Sequence, residues 1–103
     1  FNFGPKKSSN YPVIKLVKTI KKYWGKIKWK VIKNKNFSEA NLLKLDCSKS
    51  KKFLKWQSVL SFKETISMVA YWYKNYYINS KRAKKITRSQ IKEYENILRK
   101  KNY

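Results

Sequence analysis

Ser61-Phe-Lys-Glu64 has the form of a capping box. A serine hydroxyl accepts the backbone N–H three residues on, and the glutamate carboxylate accepts the serine's own N–H. Behind it Phe62, Ile66, Val69, Tyr73 and Tyr76 recur at three- and four-residue steps, with Trp72 and Tyr77 at the flanks. That pattern predicts an amphipathic helix from about residue 62 to 77. An aromatic stripe of this kind belongs to a core or an interface rather than to a cofactor site. At 103 residues the chain is one domain or part of one, and helix is its dominant currency.

A second box, Thr87-Arg-Ser-Gln90, predicts a terminal helix over about 87–101. Ile86 and Ile91 stand where a hydrophobic staple would need them, and Tyr94 and Leu98 continue the face. Upstream, Val13, Val17, Ile20 and Trp24 share helical spacing. Pro12 suits a first turn, and Gly25 suits the position just past the end. Trp29 and Val31 alternate with lysines over 28–33, the period-two mark of a strand with one wet face. Leu42 to Leu45 forms a second short strand, and Phe1-Asn-Phe-Gly-Pro5 a strand end stopped at a Gly-Pro turn. Asp46 is placed to cap a helix over about 48–54. The expected class is α/β, mostly helices with two or three short strands. That is too little sheet for a complete dinucleotide-binding domain.

The charge is extreme. Of 27 basic residues three are arginines (Arg82, Arg88 and Arg99) and 24 are lysines, against five acids, for a formal net charge of +22. One explanation is a nucleic-acid partner, in the limit a standalone basic binding module. The other is composition bias: Asn and Ile are abundant while Gly, Ala, Pro and Arg are scarce. Nucleic-acid readers lean on arginine's planar fork. The lysines here run through every segment, and no run reaches five or six like charges. Composition bias is the preferred account and nucleic acid the weaker one.

A search for self-contained catalytic chemistry finds none. Gly4 and Gly25 are the only glycines, so neither a dinucleotide fingerprint nor a phosphate-cradling loop can be built. There is no histidine, and Cys47 is the single cysteine, which excludes an internal disulfide and a Cys/His zinc site. Cys47 is read as a small residue at a helix start, not a nucleophile. Glu93 and Glu95 lie two apart on a helix and do not face one site. Tyr-x-x-x-Lys spacing occurs at Tyr11/Lys15 and Tyr77/Lys81, at about the frequency chance gives in so lysine-rich a chain. No apolar run approaches the roughly 20 residues of a membrane span, and a cytoplasmic location is expected.

Several segments together resemble the C-terminal lobe of the extended short-chain dehydrogenase/reductases that act on sugar nucleotides. These are Phe1-Asn-Phe-Gly-Pro5, the helix closing in Trp24-Gly25, and Glu39-Ala40 followed by Leu43-Lys-Leu-Asp46-Cys-Ser-Lys49. Phe53-Leu-Lys-Trp56, Trp72-Tyr-Lys74 and Ile86 to Tyr94 continue the likeness. The block from Asp46 to Trp56 is similar to one shared by many epimerases and dehydratases of this family. The first five residues, Glu39-Ala40 and the terminal Gln90-Ile-x-x-Tyr94 point within it to dehydratases of CDP-glucose. Three positions depart from the pattern: Ser38 stands for the common His, Ser50 for Ala, and Lys55 for the usual Gly before Trp56.

The resemblance implies a substrate-binding lobe spanning 1–103, whose NAD-binding Rossmann domain would lie upstream; a first residue other than Met fits such a cut. It implies an NAD-dependent lyase. The sugar is oxidised at C4, water is eliminated across C5 and C6, and the hydride returns to C6. The product feeds surface-polysaccharide synthesis. Glu39 would accept hydrogen bonds from the substrate ribose; Asp46 and Trp56 are assigned to capping and packing. A homodimer is implied for the full-length enzyme. Another sugar-nucleotide epimerase or dehydratase is the nearest alternative.

Overall fold

In the computed structural model, the structure describes residues 1–6, 11–32 and 45–101. They carry four α-helices: α1 (Val13–Tyr23), α2 (Ser48–Leu54), α3 (Phe62–Ile78) and α4 (Ala83–Lys100), with a 3-10 turn over Ser80–Arg82. No strand occurs among the described residues, so the chain is a small α-rich protein and the expected strands are not found there. Residues 28–32 do alternate, but a strand exists only when a neighbour completes its ladder, and no such neighbour lies among the described residues. The proposed strand at 42–45 falls largely outside them.

The chain divides into two compact units. One comprises Phe1–Asn10 with Lys28–Ser58, the other Tyr11–Ile27 with Val59–Tyr103. The second unit is a three-helix arrangement in which α1 and α4 both pack on α3. The capping box forms as its sequence requires. The Glu64 backbone N–H donates to Ser61 Oγ at 3.1 Å, and the Ser61 N–H to Glu64 Oε1 at 2.9 Å. Val59, Ile66, Ala70 and Ile86 are its buried apolar side chains, Ala70 fully so. The aromatic stripe on α3 is less deeply placed than expected. Phe62 is half-buried against Tyr11, ring centroids 4.4 Å apart, while Tyr73, Tyr76 and Tyr77 remain exposed. On α1, Val17 and Ile20 are half-buried and Val13 is 70 % exposed. The α1 face toward α3 is therefore centred on Thr19, which is buried and donates its hydroxyl to the Lys15 carbonyl.

Helix α4 begins at Ala83, four residues before the expected start. Asn79 starts this region instead, its Oδ1 accepting the Lys81 N–H at 3.1 Å so that a 3-10 turn feeds directly into the helix. Thr87 is consequently an interior residue. Its hydroxyl donates to the Ala83 carbonyl at 2.8 Å and accepts the Trp72 indole N–H at 2.9 Å. No staple forms, because Ile86 is buried and Ile91 is 54 % exposed. Further polar contacts hold α4 to the rest of the unit. Gln90 donates to the Met68 carbonyl at 2.8 Å; Lys101 donates to the Val59 carbonyl and lies 3.3 Å from Glu64.

Candidate functional site

The first unit brings the opening residues of the chain onto the segment around α2. Asp46 Oδ1 accepts the Ser48 N–H at 3.0 Å and also the Ser48 hydroxyl, so the expected capping carboxylate acts from one position further out, with Cys47 at the cap itself. Ser50 is fully buried, and its hydroxyl donates to the Asn2 carbonyl. The Asn2 amide in turn donates to the Asp46 carbonyl at 3.3 Å. Phe3 meets Trp56 edge to face with ring centroids 5.0 Å apart, a preferred aromatic geometry. Lys49 Nζ stands 5.2 Å from the Phe1 ring centroid. The segments 1–5 and 46–56, distant in sequence, thus form one packed piece.

Lys55 ends α2 in the left-handed region with φ 55°, and the Trp56 N–H reaches back to the Ser50 carbonyl at 3.3 Å. It is the one non-glycine residue with positive φ among the described residues. A Cβ at such an angle crowds the following carbonyl, which is why glycine is the ordinary occupant of a helix end of this type. The departure from the Gly-Trp pattern at Lys55 therefore has a backbone cost attached to it.

Between these pieces lies a cleft of about 390 Å³ whose walls include Pro5, Lys6, Asp46, Lys51, Trp56 and Gln57. A neighbouring hollow of about 560 Å³ shares Lys51 and adds Lys52 and Lys55. Ammonium groups outnumber the one carboxylate here, and an indole and a carboxamide complete the lining. Such a surface can hold an anionic, hydrogen-bonding ligand through charge and an aromatic wall. No group of His, Cys, Asp and Glu that could hold a metal ion occurs among the described residues.

Glu39, the sequence-derived substrate contact, lies outside the described residues. Trp56 has the packing role assigned to it, whereas the N-cap position belongs to Cys47 and Asp46 accepts the Ser48 N–H from the residue before it. The members of the Tyr-x-x-x-Lys pairs make ring contacts at Tyr11, Lys15 and Tyr77. Lys15 Nζ sits over the Tyr11 ring face, 4.0 Å from its centroid, and Tyr77 lies beside Trp24 with centroids 5.5 Å apart. Glu64 has its carboxyl held below its ordinary value by the hydrogen bond from the Ser61 backbone N–H, then by the Ser61 side chain and by Lys101. That shift belongs to a helix cap rather than to catalysis. One grouping the linear reading missed is at the start of α4, where Lys81 of the 3-10 turn and Lys84, Lys85, Arg88 and Lys92 of the helix share a groove. Counting charge runs along the chain hides it; counting at helical spacing reveals it.

No protein-family model, no curated protein and no solved structure matches this chain. No helix among the described residues is long and apolar enough to cross a membrane.

Proposed function

We propose that this chain is the C-terminal substrate-binding lobe of an NAD-dependent sugar-nucleotide 4,6-dehydratase, a cytoplasmic lyase with CDP-glucose as substrate, working in surface-polysaccharide synthesis. The observation carrying this reading is the assembly of residues 1–5 on residues 46–56 around a cation-lined cleft. These are two of the segments on which the resemblance rests, and they cooperate in space although some 40 residues separate them. The left-handed backbone at Lys55, where the family places glycine, adds independent support, since the backbone demand is met even though the residue differs.

In this reading the lobe binds and orients, and the chemistry belongs to an upstream Rossmann domain. NAD bound there supplies reversible hydride acceptance. Lys6 and Lys51 offer charge to the diphosphate, the Trp56 wall offers an apolar surface, and Glu39 accepts hydrogen bonds from the ribose hydroxyls. Packing against the Rossmann domain would cover apolar side chains that are exposed in this lobe.

The test is the full-length enzyme assayed with CDP-, dTDP-, GDP- and UDP-glucose. Conversion of CDP-glucose to its 4-keto-6-deoxy product is expected, with Glu39→Ala raising KM more than it lowers kcat. A complete reading frame lacking a glycine-rich dinucleotide fingerprint, or an intact enzyme that turns over none of the four, overturns the reading.

A further inference from the structure

The groove beside the start of α4 gathers more cations than any other hollow described among these residues. It encloses about 520 Å³ and is lined by Lys81, Lys84, Lys85, Arg88, Lys92 and Ser89, five cations and a hydroxyl with no carboxylate. Another hollow of the second unit, lined by Tyr23, Met68, Tyr71, Lys74, Gln90 and Glu93 among others, mixes both signs of charge with apolar surface. The contrast follows from the helix. Residues 85, 88 and 92 fall at three- and four-residue steps on the side of α4 away from buried Ile86, Lys81 precedes them on the 3-10 turn, and no acidic residue occurs from 79 to 92.

This arrangement works against the helix that carries it. Lys81, Arg82, Lys84 and Lys85 crowd the helix start, where the macrodipole favours acids and penalises cations, and the first turn of α4 contains no acid. Neighbouring cations also repel one another at these spacings. A locally unfavourable charge pattern on a well-packed element is what a binding surface costs a fold.

We propose that this face of α4 docks on the phosphodiester backbone of duplex DNA without regard to base sequence. The inference stands apart from the dehydratase reading. Lys81 to Lys92 covers about 16 Å of helix axis, and B-DNA carries one phosphate charge per roughly 1.7 Å. All five cations are therefore within reach of phosphates at once. A helix of about 10–12 Å diameter suits the B-form major groove, about 12 Å wide, whereas the A-form RNA groove is deep and narrow. Single strands require aromatic platforms for their bases, and the groove has none. A lipid surface requires a broad apolar face among the cations, and no residue lining the groove is apolar. An acidic protein would need a desolvated apolar centre that the groove does not offer. Arg88 is the single arginine in the groove, which leaves little capacity to read guanine edges.

The experiment measures binding of the 103-residue chain to a fluorescent mixed-sequence duplex across salt concentrations. Five phosphate contacts give a log–log slope of about −4.5, or a loss of roughly 500-fold between about 50 and 200 mM salt. Lys85→Gln with Arg88→Gln should flatten the slope by about 1.8. Lys18→Gln with Lys22→Gln, which removes the same charge from α1, should leave it unchanged. Lys84→Glu should weaken binding while raising the melting temperature, since it places an acid in the first turn of α4. That combination separates lost binding from lost fold. Absence of duplex binding at the low-salt end overturns the proposal. So does an equal flattening by the α1 pair, which would make the effect one of net charge alone. Tighter binding to single strands, duplex RNA or anionic vesicles than to duplex DNA overturns it as well.

Discussion

The two units hold themselves together by different means. The second is built from amphipathic helices whose apolar faces meet at Val59, Ile66, Ala70 and Ile86, with polar contacts added at the edges. The first has, among its described residues, one helix of seven residues, too short to be stable alone in water. Its order comes from pairings between distant residues: Ser50 with Asn2, Asn2 with Asp46, and Phe3 with Trp56. A periodic core spreads its stabilisation over many side chains, whereas a network of single contacts concentrates it in a few.

The sharpest test of that contrast is Ile66→Ala. It should cost about 3 kcal/mol in denaturant unfolding, because Ile66 is 5 % exposed in a core of few apolar side chains. Ser50→Ala should cost less, about 1–2 kcal/mol, since the Asn2 carbonyl loses its partner at a fully buried site. Hydrogen exchange should place that loss in residues 1–6 and 48–56. A loss spread evenly over α3 and α4 would break the distinction between the units.

Lys55→Gly should act in the opposite direction, stabilising by about 1 kcal/mol as the left-handed strain is relieved, less the added freedom of the unfolded glycine. Destabilisation by this change would mean that the Lys55 side chain contributes more than its backbone costs. The smallest effect belongs to Glu64→Gln. The folded carboxyl of Glu64 is held below its ordinary value of 4.5, so the charged form stabilises the fold above 4.5, and the benefit is lost below that as pH falls through the depressed folded value. The variant should be slightly less stable than the parent at pH 7 and equal to it in acid. A difference independent of pH would remove the cap's charge from the account.

What was legible in the sequence was local. The α3 capping box needs only Ser61 and Glu64, three residues apart, and it forms as written. The bounds of α2 and the capping by Asp46 follow from the same kind of short-range chemistry. The second box failed for a reason of equal interest. Thr87 and Gln90 have the right spacing, but the Thr87 hydroxyl meets the Trp72 indole and the Gln90 amide meets the Met68 carbonyl. Both side chains are spent on α3 rather than on a helix start. Residues 28–32 alternate as a strand would, yet alternation states only a preference and a ladder needs a second strand.

The cleft of the first unit was legible as a set of segments but not as a place. The sequence offered Phe1 to Pro5 and Asp46 to Trp56 separately, and nothing in either run states that Ser50 will find the Asn2 carbonyl. Glu39 stayed a sequence-level candidate throughout.

By itself, then, the sequence determined the helical character of this protein, its large positive charge and the cap that starts α3. These depend on residue chemistry and on spacings of a few positions, which the chain carries wherever it goes. Tertiary structure alone decided which side chains are buried, where α4 begins, and that the chain's first residues close over α2. Each of these requires groups far apart in sequence, or on one side of a folded helix, to be brought within a few ångströms, and only packing selects among the pairings that local preference allows.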